Sequence, residues 1–191
     1  VATVDSIARV VKVPLSADVE GGYSTDPATV GETVARVIGA GAVGINIEDG
    51  SADPALLCAK IEHVERASAR LGVEVFVNAR TDVYLRGLVP AERRVAETLA
   101  RAERYRAAGA DGLFVPAAVD VADIKAIASG ARLPLNLLVR PGLPPAAVLE
   151  SLGVRRLSAG AYLAEAALRQ VATLAAGFVR SLARPGGNMT G

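Results

Sequence analysis

The stretch Ser-Ala-Asp-Val-Glu-Gly-Gly-Tyr (16–23) places two carboxylates two positions apart and then turns on two glycines. Further polar residues follow the same habit, closing apolar runs: Asn46, Glu48 and Asp49, then Asn78, Arg80 and Asp82, then Asn136 with Arg140, and Ser158. If the runs are strands, alternate residues share a side. Asp18 would then pair with Glu20, Asn46 with Glu48, and Asn78 with Arg80, bringing three acids and an arginine to one cavity. Crowded carboxylates repel one another, and a divalent cation relieves the repulsion. An all-oxygen donor set without His or Cys suits Mg²⁺, or Mn²⁺, better than Zn²⁺. Arg80 offers a planar fork to a carboxylate or phosphate. Metal plus arginine fits a small anionic substrate whose reaction builds charge on an oxygen, such as an enolate.

Asn78 and Tyr23 are further candidates for contact with that substrate, and each candidate also has a plainer reading. Asp18 and Glu20 could close a strand in solvent, and Arg80 could form a buried ion pair, with Asp82 as its partner. Asn78 and Asn136 could be satisfied buried amides, and Tyr23 could pack rather than line the cavity. Asp49 reads as a structural acid. The double glycine reads as a turn needing positive φ rather than a phosphate cradle. His63 and the arginine-rich segment 93–106 read as solvated helix surface, and Cys58 as a small core hydrophobe.

Elements must position these residues. Six β-rich runs, at 11–18, 42–49, 73–80, 111–117, 133–139 and 154–160, alternate with helical patterns. They are largely continuous apolar runs, as in a parallel sheet buried on both faces. Asp26-Pro27 and Asp53-Pro54 are helix starts, Pro90 opens another helix, and 161–183 reads as one long helix. Repeated βα units predict an α/β protein, either a (β/α)8 barrel or a doubly wound sheet. The barrel ranks first because GxGxxG after the first strand is absent. Such a barrel takes about 250 residues and eight strands, so this 191-residue chain is expected to lack the first two βα units. The expected organisation is one barrel domain over 1–183 and a disordered tail over 184–191.

Bulk properties remove other classes. A formal net charge of +1 leaves no electrostatic footprint for nucleic acid or an anionic membrane surface. No apolar stretch approaches the ~18 residues of a membrane span, and no signal peptide is visible, so cytoplasm is the expected location. One cysteine excludes an intramolecular disulfide and a cysteine-based metal cluster.

Four stretches, SADVEGGY, GAVGINIEDG, VNARTDVYL and AAGADGLFVPA, resemble in order and spacing the isocitrate lyase / phosphoenolpyruvate mutase superfamily. The resemblance implies a (β/α)8 barrel, a homotetramer that exchanges its last helix between subunits, and a small carboxylate substrate. It implies Mg²⁺ near Asp18, with Glu20 and Glu48 as outer or water-mediated ligands. Arg80 would hold the substrate carboxylate or phosphoryl group and act in catalysis, and Asn136 matches a substrate-contacting asparagine of the lyases. There are departures. The lyases' Lys-Lys/Arg-Cys-Gly-His loop is replaced by GSADPALLC, with Cys58 several residues into a helix. The lyases' glutamate near Pro116 and the mutases' gating-loop lysine and asparagine are also missing.

The expected function is therefore a Mg²⁺-dependent carbon–carbon bond lyase, cleaving a small di- or tricarboxylate through a 2-oxo acid enolate. The alternatives are a 2-oxo diacid decarboxylase, a phosphonopyruvate-type hydrolase, or a non-catalytic 2-oxo acid binding protein. A different phosphate-binding barrel fits poorly, since RPGLPP and SAGAY make weak phosphate loops.

Overall fold

The computed structural model describes residues 1–182. Six parallel strands, β1 (Ser16–Asp18), β2 (Gly44–Glu48), β3 (Phe76–Arg80), β4 (Gly112–Val115), β5 (Leu135–Leu138) and β6 (Val154–Ser158), lie side by side in chain order. The helices are α1 (Ala2–Ala8), α2 (Pro27–Gly39), α3 (Pro54–Leu71), α4 (Arg94–Ala108), α5 (Val121–Gly130), α6 (Ala146–Ser151) and α7 (Tyr162–Leu182). The β1–β6 assembly is a half-barrel, the partial form of the expected (β/α)8 architecture. Val1–Ser158 forms one compact unit and Ala159 onward a second, to which α7 belongs. The tail expected to be disordered, 184–191, lies outside the described residues.

Local chemistry sets the helix boundaries. Asp26 caps α2 by accepting from the amides of Ala28 and Thr29, and Asp53 caps α3 through Ala55, each with proline at the first helical position. Asp120 caps α5 through Ala122 and Asp123. At the other ends, Gly72 (φ 64°) and Gly109 (φ 117°) adopt the left-handed conformation that closes α3 and α4.

The strands are shorter than the apolar runs that contain them, and they alternate. Ile45, Ile47, Val77, Ala79, Leu113, Val115, Leu135 and Leu137 are fully or almost fully buried. In β2 and β3 they pack with Val30, Val34, Ile61 and Val64 of α2 and α3; in β4 and β5 they pack with Ile124, Ile127 and Leu149 of α5 and α6. Each such side chain contributes about 1.5–3 kcal/mol. Helix α4 serves both clusters, giving Tyr105 to the first and Ala102 to the second. The intervening positions, Asp18, Asn46, Glu48, Asn78, Arg80, Phe114, Asn136 and Ser158, form the opposite face. The expected burial on both faces holds at Asn78, Phe114 and Asn136, while Asp18 is exposed and Glu48, Arg80 and Ser158 are half-buried. Gly, Asn and Ala interrupt the pattern gently enough that Gly-Ile-Asn-Ile-Glu and Phe-Val-Asn-Ala-Arg read as continuous when they are half-polar.

Candidate active site

Register places the polar face in two rows. Asp18 is the partner of Asn46, and Asn46 of Asn78. One step further along the strands, Glu48 is the partner of Arg80, Arg80 of Phe114, and Phe114 of Asn136. Asp18, Glu48 and Arg80 each end their strand, on the side where barrels build their active sites, whereas Asn46 and Asn78 lie mid-strand and Asn136 is the second residue of β5.

Asp18 ends β1. Its Oδ1 accepts the Glu20 amide at 2.9 Å, and its Oδ2 accepts Nδ2 of Asn46 at 3.3 Å. Glu20 does not continue the strand. It has φ 49°, so the alternation that would align its side chain with Asp18 stops before it. Its backbone is nevertheless fixed, because its carbonyl accepts the Glu48 amide at 2.9 Å. The turn closes when the Gly22 amide donates to Val19 O at 2.8 Å. At Gly22 (φ 85°) a Cβ would lie 2.6 Å from the Val30 side chain, so both space and conformation require glycine. Tyr23 follows at φ 60° and is 69% exposed. Beneath the turn, Lys60 of α3 donates to Gly21 O at 2.7 Å although the residue is only 6% exposed. Burial holds its ammonium pKa below the usual lysine value.

Arg80 makes the ion pair of its plainer reading, with Glu48 as well as Asp82. Nη1 meets Glu48 Oε2 at 2.7 Å, Nε donates to Asp82 Oδ1 at 2.8 Å, and Nη2 donates to Asp82 Oδ2 at 3.3 Å. The guanidinium carbon stands 5.9 Å from the Phe114 ring centroid. Glu48 is mostly enclosed, and burial raises its pKa against the opposing pull of Arg80. Asp82 is fully buried and also accepts Arg86 Nε at 2.7 Å. Asn136, 1% exposed, donates to Ser158 Oγ at 3.0 Å, so Phe114 separates that pair from Arg80.

A second polar cluster supports the first from the helix side. Asp49 is buried; its Oδ1 accepts the Asp82 amide at 2.9 Å, and its Oδ2 accepts Arg101 Nη1 at 2.8 Å and Tyr105 Oη at 2.6 Å. Arg101 also donates to Glu97 Oε1 at 2.7 Å. Burial alone would lower the Arg101 pKa; its bonds to Asp49 and Glu97 reverse that and raise it. Burial and the Asp49 carboxylate push Tyr105 well above the ordinary phenol range. The arginine-rich helix is thus not wholly a solvated face, since Arg101 is 8% exposed. The Glu97, Arg101, Tyr105 spacing of four was the signal in the sequence. Asp49 is the structural acid its reading described. Asn46, read from the sequence as sharing a side with Glu48, joins Asp18 to Asn78, and Lys60 is the participant that residue types alone did not single out.

The other two nucleophile or base candidates sit elsewhere. Cys58 packs against the helix-side core, and His63 lies against Gly31 of α2, where an added Cβ would meet the His63 carbonyl at 2.9 Å. Among the described residues, no three acidic, histidine or cysteine side chains lie close enough together to enclose a cation. Mg²⁺ does not require such a cage, because it keeps several waters and needs one or two carboxylates. Asp18 fits that mode: a carboxylate has about four acceptor sites, and among the described residues two hydrogen bonds reach it. Among the described residues, no helix is long and apolar enough to cross a membrane.

Comparison with known proteins supplies the family. The profile of phosphoenolpyruvate phosphomutase matches residues 1–179. An uncharacterized protein of Mycobacterium tuberculosis (strain H37Rv) is 42% identical over 150 residues, which are 76% of this chain and 54% of that protein. The oxaloacetate decarboxylase of Pseudomonas savastanoi pv. phaseolicola is 30% identical over 161 residues, covering 78% and 53% respectively. The chain thus spans about half the length of these relatives. Among solved structures, a phosphonomutase-like protein of Burkholderia cenocepacia superposes with TM-score 0.86 at 38% identity, covering 92% of this chain and 74% of that one. A 2,3-dimethylmalate lyase superposes with TM-score 0.75 at 26% identity, covering 99% and 69%. With the profile matched over residues 1–179 and the half-barrel superposing on solved structures of the same family, the chain belongs to the phosphoenolpyruvate mutase/isocitrate lyase superfamily.

Proposed function

We propose that this chain carries the metal- and anion-binding part of a Mg²⁺-dependent enzyme that breaks a carbon–carbon bond in a small dicarboxylate, through the enolate of a 2-oxo acid. One observation carries the reading: Asp18, Glu48 and Arg80 stand on one face of three adjacent parallel strands, at their C-terminal ends. Asp18 would hold the cation directly, with Glu48 and Glu20 as outer or water-mediated partners. The bound ion would supply Lewis-acid charge where the oxo oxygen becomes an enolate.

Arg80 binds the substrate carboxylate. Asp82 occupies Nε and one Nη2 hydrogen, which fixes the guanidinium plane, while Nη1 faces Glu48. A carboxylate approaching from the open side takes the remaining Nη hydrogens as a charge-assisted pair. Held there, a 2-oxo diacid is oriented so that the electrons of the bond to its distal carboxylate flow into the oxo group. CO₂ leaves, and water protonates the enolate carbon to give the 2-oxo acid.

This route asks for no side chain to take a hydroxyl proton, which agrees with Cys58 and His63 lying away from the polar face. Similarity to an oxaloacetate decarboxylase supports it, so a 2-oxo diacid is the first substrate to try. Cleavage of a hydroxy diacid is the second reading, supported by similarity to the 2,3-dimethylmalate lyase.

The test follows pyruvate release from oxaloacetate, and from methylisocitrate, with Mg²⁺ and with EDTA. Enzymatic pyruvate release that needs Mg²⁺ and falls at least about 100-fold in Asp18→Asn is expected. Binding of a 2-oxo acid without turnover of either substrate would favour a binding protein, and equal rates for wild type and Asp18→Asn would remove the metal assignment.

A further inference from the structure

Across the first three strands, one row of side chains is joined end to end. Asn78 Nδ2 donates to Asn46 Oδ1 at 2.8 Å, and Asn46 Nδ2 donates to Asp18 Oδ2 at 3.3 Å. The three residues are register partners on neighbouring strands, so the chain of bonds runs straight across the sheet. Asn78 is 1% exposed. Its own next partner is Gly112, where a Cβ would lie 2.8 Å from Asn78 Oδ1 and 3.0 Å from the Phe76 ring. The row therefore ends on a residue that leaves the buried amide its space.

The row has a direction. A primary amide has one donor end and one acceptor end. Because Asn78 gives its N–H to the Asn46 carbonyl, the end of Asn46 left for Asp18 is the donor. Turned over, Asn46 would aim a carbonyl oxygen at a carboxylate oxygen, and both bonds would be lost. Linked amides in a partly buried setting also polarise one another. The opposite oxygen of Asp18 is held by the Glu20 amide, so the carboxylate is fixed from both ends.

We propose that Asn46 and Asn78 are positioning residues that set the orientation of Asp18 for a divalent cation, Asn78 acting only through Asn46. This rests on the cation site at Asp18 argued above. It gives Asn78 a role other than the substrate contact expected from its type: the buried amide spends its donor on a neighbouring strand.

Calorimetric titration of the full chain with MgCl₂ alone tests the inference, with thermal unfolding in the absence of metal confirming that each variant folds. Asp18→Asn is the reference for the cation site. Asn46→Leu, similar in shape and without a donor, is expected to weaken Mg²⁺ binding about 10- to 100-fold. Asn78→Asp is more discriminating, and it carries the test if Asn46→Leu fails to fold. It is isosteric, and read at a pH where the new carboxyl is ionised it has no donor, so two carboxylates compete for the one Asn46 NH₂ and neither orientation of that amide holds Asp18 as before. Binding then weakens about 10-fold, although the added negative charge by Coulomb's law would strengthen it. In the Asn46→Leu background, Asn78→Asp is expected to cause no further loss. Unchanged or tighter Mg²⁺ binding by Asn78→Asp, or wild-type binding by Asn46→Leu, would overturn the positioning role while Asp18→Asn still abolished binding. Wild-type binding by Asp18→Asn would overturn the cation site itself, and the positioning role with it.

Discussion

Arg80, proposed above as the substrate-carboxylate fork, is held in place by two acids. Asp82, itself fully buried, holds the fork by Nε and Nη2, while Glu48 occupies Nη1. Lysine keeps the charge but cannot reproduce this planar, three-point attachment. Arg80→Lys is expected to lower kcat/KM about 10- to 100-fold, the loss of one charge-assisted hydrogen bond, chiefly through KM for the carboxylate substrate. Steady-state kinetics on the substrate identified by pyruvate release would check it. Lys60 makes a different prediction. Its pKa is lowered by burial, and its ammonium donates to the Gly21 carbonyl. Between that lowered value and the ordinary 10.5, the unfolded chain binds more protons than the folded one, so stability rises with pH. Below the folded pKa the charged form is paying for its burial. Lys60→Met is therefore expected to be more stable than wild type at pH 7, with the advantage shrinking as pH rises toward 10.5. Urea unfolding across that range would read the difference, and a constant gap would show that burial of the charge is not its source.

At the scale of elements, α4 is the brace of the site. Arg101 and Tyr105, one helical turn apart, both reach Asp49 at the end of β2, and Asp49 in turn fixes the backbone of Asp82 after β3. Removing the shared acceptor leaves a buried guanidinium and a buried phenol without it. Asp49→Ala is expected to cost about 3–5 kcal/mol, whereas Tyr105→Phe, which removes one donor and leaves the ion pair, should cost about 0.5–1.5 kcal/mol. Denaturant unfolding of both variants checks the ranking. Equal losses would mean that Arg101 does not depend on Asp49. The strand ends thus inherit their precision from a helix whose charges look, in one dimension, like ordinary surface.

For the whole molecule, the exposed apolar residues of α7 raise the question of assembly. Leu163, Val171 and Leu174 recur at helical spacing, and each is more than half exposed in the single chain. Apolar stripes of this kind mark interaction surfaces, and family resemblance implies that the last helix is exchanged between subunits of a homotetramer. The chain is therefore expected to sediment as an oligomer, and the double substitution Val171→Glu/Leu174→Glu to shift it to lower mass. Sedimentation velocity at several concentrations measures this. Identical profiles for wild type and variant would exclude α7 from the contact.

Much of this protein was legible in one dimension because its information is local. Helix starts follow from an aspartate before proline, helix ends from glycines at positive φ, and the parallel sheet from strands alternating with helices. Asp18, Glu48 and Arg80 were identifiable as acids and a cation closing successive apolar runs, and the structure places them on one face. What only the tertiary structure decided were matters of register and partner choice. Glu20 leaves the strand for a left-handed turn, Arg101 turns inward to Asp49, and Asn78 donates to Asn46. These outcomes depend on which residues 30 to 50 positions away arrive alongside, and on the cost of leaving a buried charge or amide unpaired. Residue type and spacing set the available chemistry, while the alignment of neighbouring strands and one packed helix settle which groups spend it on each other.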